Sequence, residues 1–233
     1  MSNNPYYISH KNKCVLIWSQ KCACTSLHHA FVRTICGISE PEDPRKIAQK
    51  LNMIKNNYKQ IPKDYTVYWG VRNPFDRIVS SYFNKFLFYK ERKLTKDTLE
   101  KFAGGFLKQI DVDYDNLTFH KMLKGIAELK ARKLPINHHF DGQVNLKNYH
   151  LIKNHPKLIM FDIENIPPIF KIDYKKNETI STEEPVKKNC CHIKASDMKR
   201  SMLFKENFKA PKRFIRKLFQ LDYLVFKQHG MIY

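Results

Sequence analysis

No apolar run in this chain approaches the ~20 residues that a membrane-crossing helix needs. The opening residues, MSNNPYYISHKNK, hold no hydrophobic core of signal-peptide length. The glycine-lysine phosphate loop G-x-x-x-x-G-K-[ST] is missing. Cys22-x-Cys24 and Cys190-Cys191-His192 lack the spacing of a zinc ribbon, so no metal site is expected. There is no arginine-rich tail, no interleaved basic-aromatic repeat, no internal repeat and no low-complexity tract. These absences argue against a helical membrane protein, a Walker-type nucleotidase, a zinc ribbon and a nucleic-acid-binding arm.

What remains is globular in character. The 233 residues, 42% hydrophobic with 16 phenylalanines, suit one domain over 1–233 with a sizeable core. The net charge of +20 predicts attraction to polyanions: nucleic acid, an anionic glycan or an anionic membrane face. The lysines that supply most of it are spread along the whole chain, which disfavours nucleic acid as a dedicated partner. Six cysteines, at 14, 22, 24, 36, 190 and 191, permit disulfides, but their positions fit reduced thiols better. Cys22 or Cys24, beside Lys21 and a helix start, has the setting of a low-pKa thiol, although packing is the plainer reading.

Two stretches carry the chemistry. The first is CVLIWSQKCACTSLHHAFV, from Cys14 to Val32. Val15-Leu16-Ile17-Trp18 has the length and content of a strand. A small polar turn, Ser19 to Cys24, follows. Thr25 and Ser26 then stand where a helix begins, with Leu27, Ala30 and Phe31 as its apolar face. Strand, tight loop and helix start gather backbone N–H groups around an anion. Lys21 adds a positive charge there, and Thr25 and Ser26 add hydroxyls. Taken alone, the loop reads as readily as an ordinary βα turn that contains a lysine.

The second stretch is YWGVRNPFDRIVSSYFNKF, from Tyr68 to Phe86. Val67 to Val71 reads as a buried strand that Arg72-Asn73-Pro74 ends. A helix starts near Pro74, packed through Ile78, Val79, Tyr82, Phe83 and Phe86. Arg72 at the strand's carboxyl end and Ser80 two turns into the helix offer a guanidinium fork and a hydroxyl, apt for a phosphate monoester. Alternatively, Arg72 and Arg77 are surface charges and Ser80 fills a helix.

Elsewhere, a turn at Pro41–Pro44 precedes a helical pattern through Ile47, Leu51 and Ile54. Residues 87–134 read as mostly helical. Leu99, Phe102, Phe106 and Leu107 form one core face, Phe119, Met122, Leu123, Ile126 and Leu129 another, and Asn116-Leu117-Thr118 caps the second. His138 and His139 follow Pro135 on a loop, and histidine is the natural general base for a hydroxyl near neutral pH. His28 and His29, one turn into the helix after the anion loop, are a rival pair. Leu158 to Phe161 reads as a strand, with Asp162 and Glu164 as helix-entry carboxylates. Residues 173–200 read as an exposed lysine-rich loop, and Phe214 to Phe226 as an amphipathic helix.

Together the two stretches resemble the sulfotransferases that use 3′-phosphoadenosine 5′-phosphosulfate (PAPS), in particular the carbohydrate group. That family's first loop, of the K-x-x-x-[ST]-[ST] or K-x-x-C-T type, is similar to Lys21-Cys22-Ala23-Cys24-Thr25-Ser26. Its second motif, V-R-[DNH]-P-[FY]-x-R-[LIV]-x-S-x-Y, is similar to Val71-Arg72-Asn73-Pro74-Phe75 with Arg77, Ile78, Ser80 and Tyr82. His138-His139-Phe140-Asp141-Gly142-Gln143 resembles its H-[WF]-x-P-Q segment, and Leu221 to Phe226 its Y-x-x-D-[FY]-x-x-F ending. The resemblance implies a P-loop-like α/β fold, a mostly parallel central sheet flanked by helices. It implies sulfuryl transfer from PAPS to a hydroxyl, on a carbohydrate that the basic surface tilts towards an acidic one. It also implies donor contacts from Lys21, Cys22, Ala23, Cys24, Thr25, Ser26, Arg72 and Ser80, with Lys21 also catalytic. His139 is preferred to His138 as the base, and no metal is required.

Animal members of that group are usually Golgi-anchored, whereas this chain opens on Met1 without an anchor. A soluble, cytoplasmic relative is therefore expected. Two other classes stay open: a phosphotransferase acting on ATP, and a non-catalytic binder of nucleic acid or heparin-like chains. The first lacks a magnesium-binding carboxylate beside the loop, and the second would rest on the +20 charge alone.

Overall fold

All five residues of Cys14–Trp18 are buried, so the strand they form is covered on both faces, as continuous apolar runs in parallel sheets are. The computed structural model describes residues 5–19, 22, 24–38, 43–87, 105–170 and 209–233. They fall into two compact units. One is drawn from Asn4–Val71 and His150–His192, the other from Met1–Asn3, Arg72–Tyr149 and Ile193–Tyr233.

The first unit holds the sheet. Its strands are β1 (Tyr6–Ser9), β2 (Cys14–Trp18), β3 (Ile54–Lys55), β4 (Thr66–Val71) and β5 (Leu158–Asp162), in the order β3-β1-β2-β4-β5. β2 pairs parallel with β4, and β4 with β5. β1 pairs antiparallel with both β2 and β3, so β1 alone runs against the other four. This is the mostly parallel α/β sheet that the sequence implied. β1 is an addition: the strand that leads into the loop before α1 is the second in the chain, not the first. A tight turn joins β1 to β2, with the Lys13 N–H on the His10 carbonyl at 3.3 Å and Lys13 at φ 47°.

Helix α1 (Cys24–Ala30) continues into a π-helical turn, Phe31–Ile35. Leu27, Ala30, Phe31 and Ile35 pack with Leu16, Trp18 and Phe161 of the sheet. Gly70 of β4 makes room for that packing, because a Cβ there would stand 2.8 Å from Leu27 Cδ1 and 3.1 Å from Phe161 Cζ. Helix α2 (Pro44–Lys50) starts on Asp43, whose carboxylate accepts the Arg45 N–H at 3.0 Å. The helical reading through Ile54 is too long: α2 ends at Lys50, and Ile54 lies in β3, drawn into the sheet by pairing with Tyr7. After β5, Asp162 does not enter a helix. Its carboxylate closes a turn on the Glu164 N–H at 2.9 Å, and a short 3-10 turn follows at Pro168–Phe170.

The second unit is helical. α3 (Pro74–Tyr82) is capped by Asn73, which accepts the Phe75 N–H at 2.9 Å, and has proline in its first turn. α4 (Phe106–Gln109) follows Gly105, held at φ 70°. α5 (Phe119–Ala131) is capped by Thr118 through the Lys121 N–H at 3.2 Å. The expected stripes form its core: Phe75, Ile78 and Tyr82 pack with Phe106, Met122, Leu123, Ile126 and Leu129. α6 (Leu146–Ile152), which the sequence reading does not anticipate, comes next. The expected C-terminal helix is two, α7 (Lys209–Leu218) and α8 (Gln220–Gln228), broken at Phe219, whose ring is buried in that core. Leu99 and Phe102, and the expected loop at 173–200, lie outside the described residues.

Candidate functional site

The register of β2 against β4 sets Trp18 opposite Gly70. Because the two strands are parallel neighbours, the loop after β2 and the end of β4 leave from the same carboxyl edge of the sheet. That edge is where open α/β sheets bind ligands.

At the first position the chain turns sharply: the Cys22 N–H bonds the Ser19 carbonyl at 3.2 Å, and the Cys22 side chain is fully buried. Lys21 and Ala23 lie outside the described residues. Cys24 begins α1, with Thr25 exposed and Ser26 half-buried in its first turn. Arg45 of α2 reaches across to α1, placing Nε 3.2 Å from His28 Nδ1 and Nη2 4.0 Å from Cys24 Sγ. A guanidinium therefore stands beside the helix start that the loop feeds, a cation that motif reading overlooks.

His28 is not poised for base catalysis. It is buried against the rings of Tyr7 and Trp18, at 5.0 and 4.4 Å between centroids, and its Nδ1 accepts from Arg45. Burial, with Arg45 and His29 adding to it, lowers its pKa from 6.5 to about 3. At neutral pH it is an uncharged packing group.

The second unit assembles the other motif segments by themselves. Arg72 is half-buried, and its peptide is held on both sides by one carboxamide. The Arg72 N–H donates to Gln143 Oε1 at 2.9 Å, and Gln143 Nε2 donates to the Arg72 carbonyl at 2.7 Å. The Gln143 N–H in turn donates to Asp222 at 2.9 and 3.1 Å, and the Val144 N–H to Asp222 Oδ1 at 2.9 Å. Asp222 is buried, and desolvation raises its pKa while Arg77, the two N–H donors and Lys130 oppose the rise.

Arg77 is fully buried, not a surface charge. Its guanidinium donates to the carbonyls of His139, at 3.4 Å, and Asp141, and lies 5.6 Å from the centre of the Phe219 ring. Ser81, next to the half-buried Ser80, is buried and donates to the same His139 carbonyl at 2.8 Å. Thus Arg77 and Ser81 of α3 hold the 138–141 turn from beneath.

That turn presents both candidate histidines. Their rings lie 4.2 Å apart, His138 exposed and His139 half-buried. Asn137 Oδ1 accepts the His139 N–H at 3.0 Å, which identifies that atom as the amide oxygen. The same oxygen lies 2.9 Å from His139 Nδ1. Nδ1 therefore carries a proton, and in the neutral imidazole the lone pair is on Nε2.

Within this unit, then, Arg72, the 138–143 segment and the Leu221–Phe226 ending meet in one polar network. Its members Arg77, Gln143 and Asp222 were visible in the sequence only as motif letters. Among the described residues, no group of three or more His, Cys, Asp or Glu side chains is arranged to hold a metal ion, and no helix is long and apolar enough to cross a membrane.

In a comparison with known families, the model of the family described as "Sulfotransferase family" matches residues 4–228. No curated protein and no solved structure matches the chain.

Proposed function

This chain belongs to the sulfotransferase family and is a transferase of sulfuryl groups; we propose that its donor is PAPS and its acceptor a hydroxyl, on a carbohydrate. The observation that carries the reading is the common edge from which the loop after β2 and the end of β4 depart, with Gly70 opposite Trp18. One strand end is followed by the lysine-bearing loop, the other by Arg72.

In the reaction, the acceptor oxygen attacks sulfur in line. An O–S bond forms as the bond from sulfur to the bridging oxygen of the 5′-phosphate breaks, and adenosine 3′,5′-bisphosphate departs. Negative charge gathers on that bridging oxygen. Lys21 neutralises it, and the loop from Cys22 through Ala23 and Cys24 to Thr25 and Ser26 holds the 5′-phosphate. Arg72 and Ser80 hold the 3′-phosphate, the group that sets this donor apart from ATP. The acceptor's proton goes to His139. Its Asn137 contact supports this choice over His138, because it orients the ring and leaves the lone pair on Nε2. The basic surface favours an acidic glycan as acceptor.

Incubation with donor labelled in the sulfuryl group and a panel of acceptors tests the reading, and variants sort the roles. Lys21→Ala is expected to lower transfer by at least about a hundredfold while changing bisphosphate affinity by less than about tenfold. Equal losses in both would make Lys21 a binding residue only. Arg72→Ala is expected to weaken the bisphosphate by about tenfold or more; unchanged affinity would remove it from the 3′-phosphate site.

A further inference from the structure

We propose that Gln143 is a positioning residue for Arg72, fixing the arginine so that the enzyme discriminates nucleotides bearing a 3′-phosphate. The inference rests on the donor reading above. β4 pairing ends at Val71, so Arg72 lies just beyond the ladder. Its N–H and C=O both call for hydrogen-bond partners there. The Gln143 carboxamide answers both at once, accepting at 2.9 Å and donating at 2.7 Å, as a neighbouring strand would.

The side-chain type is specific to the task. Glutamate at this length accepts but cannot donate, methionine does neither, and asparagine falls one methylene short. Gln143 is itself fully buried, where an unpaired amide would be costly. Its own backbone is fixed by the buried Asp222, which takes the N–H groups of Gln143 and Val144. Gly142 fits beside that carboxylate: a Cβ there would lie 3.3 Å from Asp222 Oδ1. On the other side Asn73 and Pro74 begin α3, so Arg72 is held between a helix cap and a carboxamide clamp. None of these contacts touches the guanidinium. Gln143 thus acts on recognition through where the Arg72 main chain is held.

The readout is a ratio that general loss of stability does not move. Affinities for adenosine 3′,5′-bisphosphate and adenosine 5′-phosphate are measured by titration calorimetry on the wild type, Gln143→Met and Gln143→Asn, with melting temperatures alongside. In both variants the bisphosphate is expected to weaken by about tenfold while the monophosphate changes by less than about twofold, so discrimination falls at least about fivefold. An unchanged ratio in a folded variant, or equal weakening of both nucleotides, overturns the proposal. A wild-type ratio near one overturns the donor reading, and the proposal with it. Amide hydrogen exchange on the wild type needs no variant: the Arg72 N–H is expected to exchange as slowly as core amides, and fast exchange would contradict the clamp.

Discussion

A buried imidazole makes a protein sensitive to acid. His28 has a pKa of about 3 in the folded chain against 6.5 when exposed. Between those values the unfolded chain binds a proton that the folded chain refuses. Stability therefore rises with pH across that window, and acid removes it by up to about 1.4 kcal/mol per pH unit. His28→Phe lacks the titration. It is expected to be less stable than wild type near neutral pH, having lost the Arg45 contact, but the gap should narrow or invert near pH 4. Denaturant midpoints at the two pH values measure this, and parallel pH profiles would show that His28 does not govern the acid response. The sequence offered His139 as the base with His28 as a rival, because burial cannot be read from a residue's name. Only the contacts with Tyr7, Trp18 and Arg45 mark His28 as packing, and only the Asn137 oxygen gives His139, the proposed base, a defined tautomer. Arg77 teaches the same lesson: an arginine three residues into a helix reads as a surface charge until the carbonyls of His139 and Asp141 are seen above it.

Strands β2, β4 and β5 and helices α3 and α5 were legible because their apolar patterns and their caps agree. Asn73 and Thr118 sit where their side chains satisfy the first helical N–H groups, and the apolar stripes behind them pack as expected. β1 was not legible. Its four residues form a strand only because β2 and β3 flank it, a long-range pairing that no local period announces. Nor was the break at Phe219, where burial of one ring overrides a continuous amphipathic pattern. A glycine gives the clearest test of packing between elements. In α5, a Cβ on Gly125 would stand 2.5 and 2.6 Å from Ile110 Cγ2 and Cβ. Alanine would favour the helix by about 1 kcal/mol, but the contact involves a branch point that cannot swing away. Gly125→Ala is therefore expected to destabilise the protein by about 1–3 kcal/mol net in chemical denaturation, and a stabilised variant would show that α4 and α5 are not packed this closely.

The whole chain carries +20 charges, and with it two ways of attracting anions that must be told apart. Diffuse attraction to a polyanion such as heparin falls steeply with salt, because it is driven by release of counterions. A built nucleotide site is less sensitive and depends on where each phosphate sits. Membership of the sulfotransferase family establishes the chemistry in general, and the donor is the claim on which the proposed roles of Lys21, Arg72 and Gln143 all depend. Thermal unfolding at physiological salt, with adenosine 3′,5′-bisphosphate or ATP at equal concentration, tests it most directly. At a hundred times its dissociation constant the bisphosphate contributes about 2.7 kcal/mol, a rise of several degrees. The account predicts that rise for the bisphosphate and a much smaller one for ATP; equal shifts for the two nucleotides, or no shift for either, would contradict it.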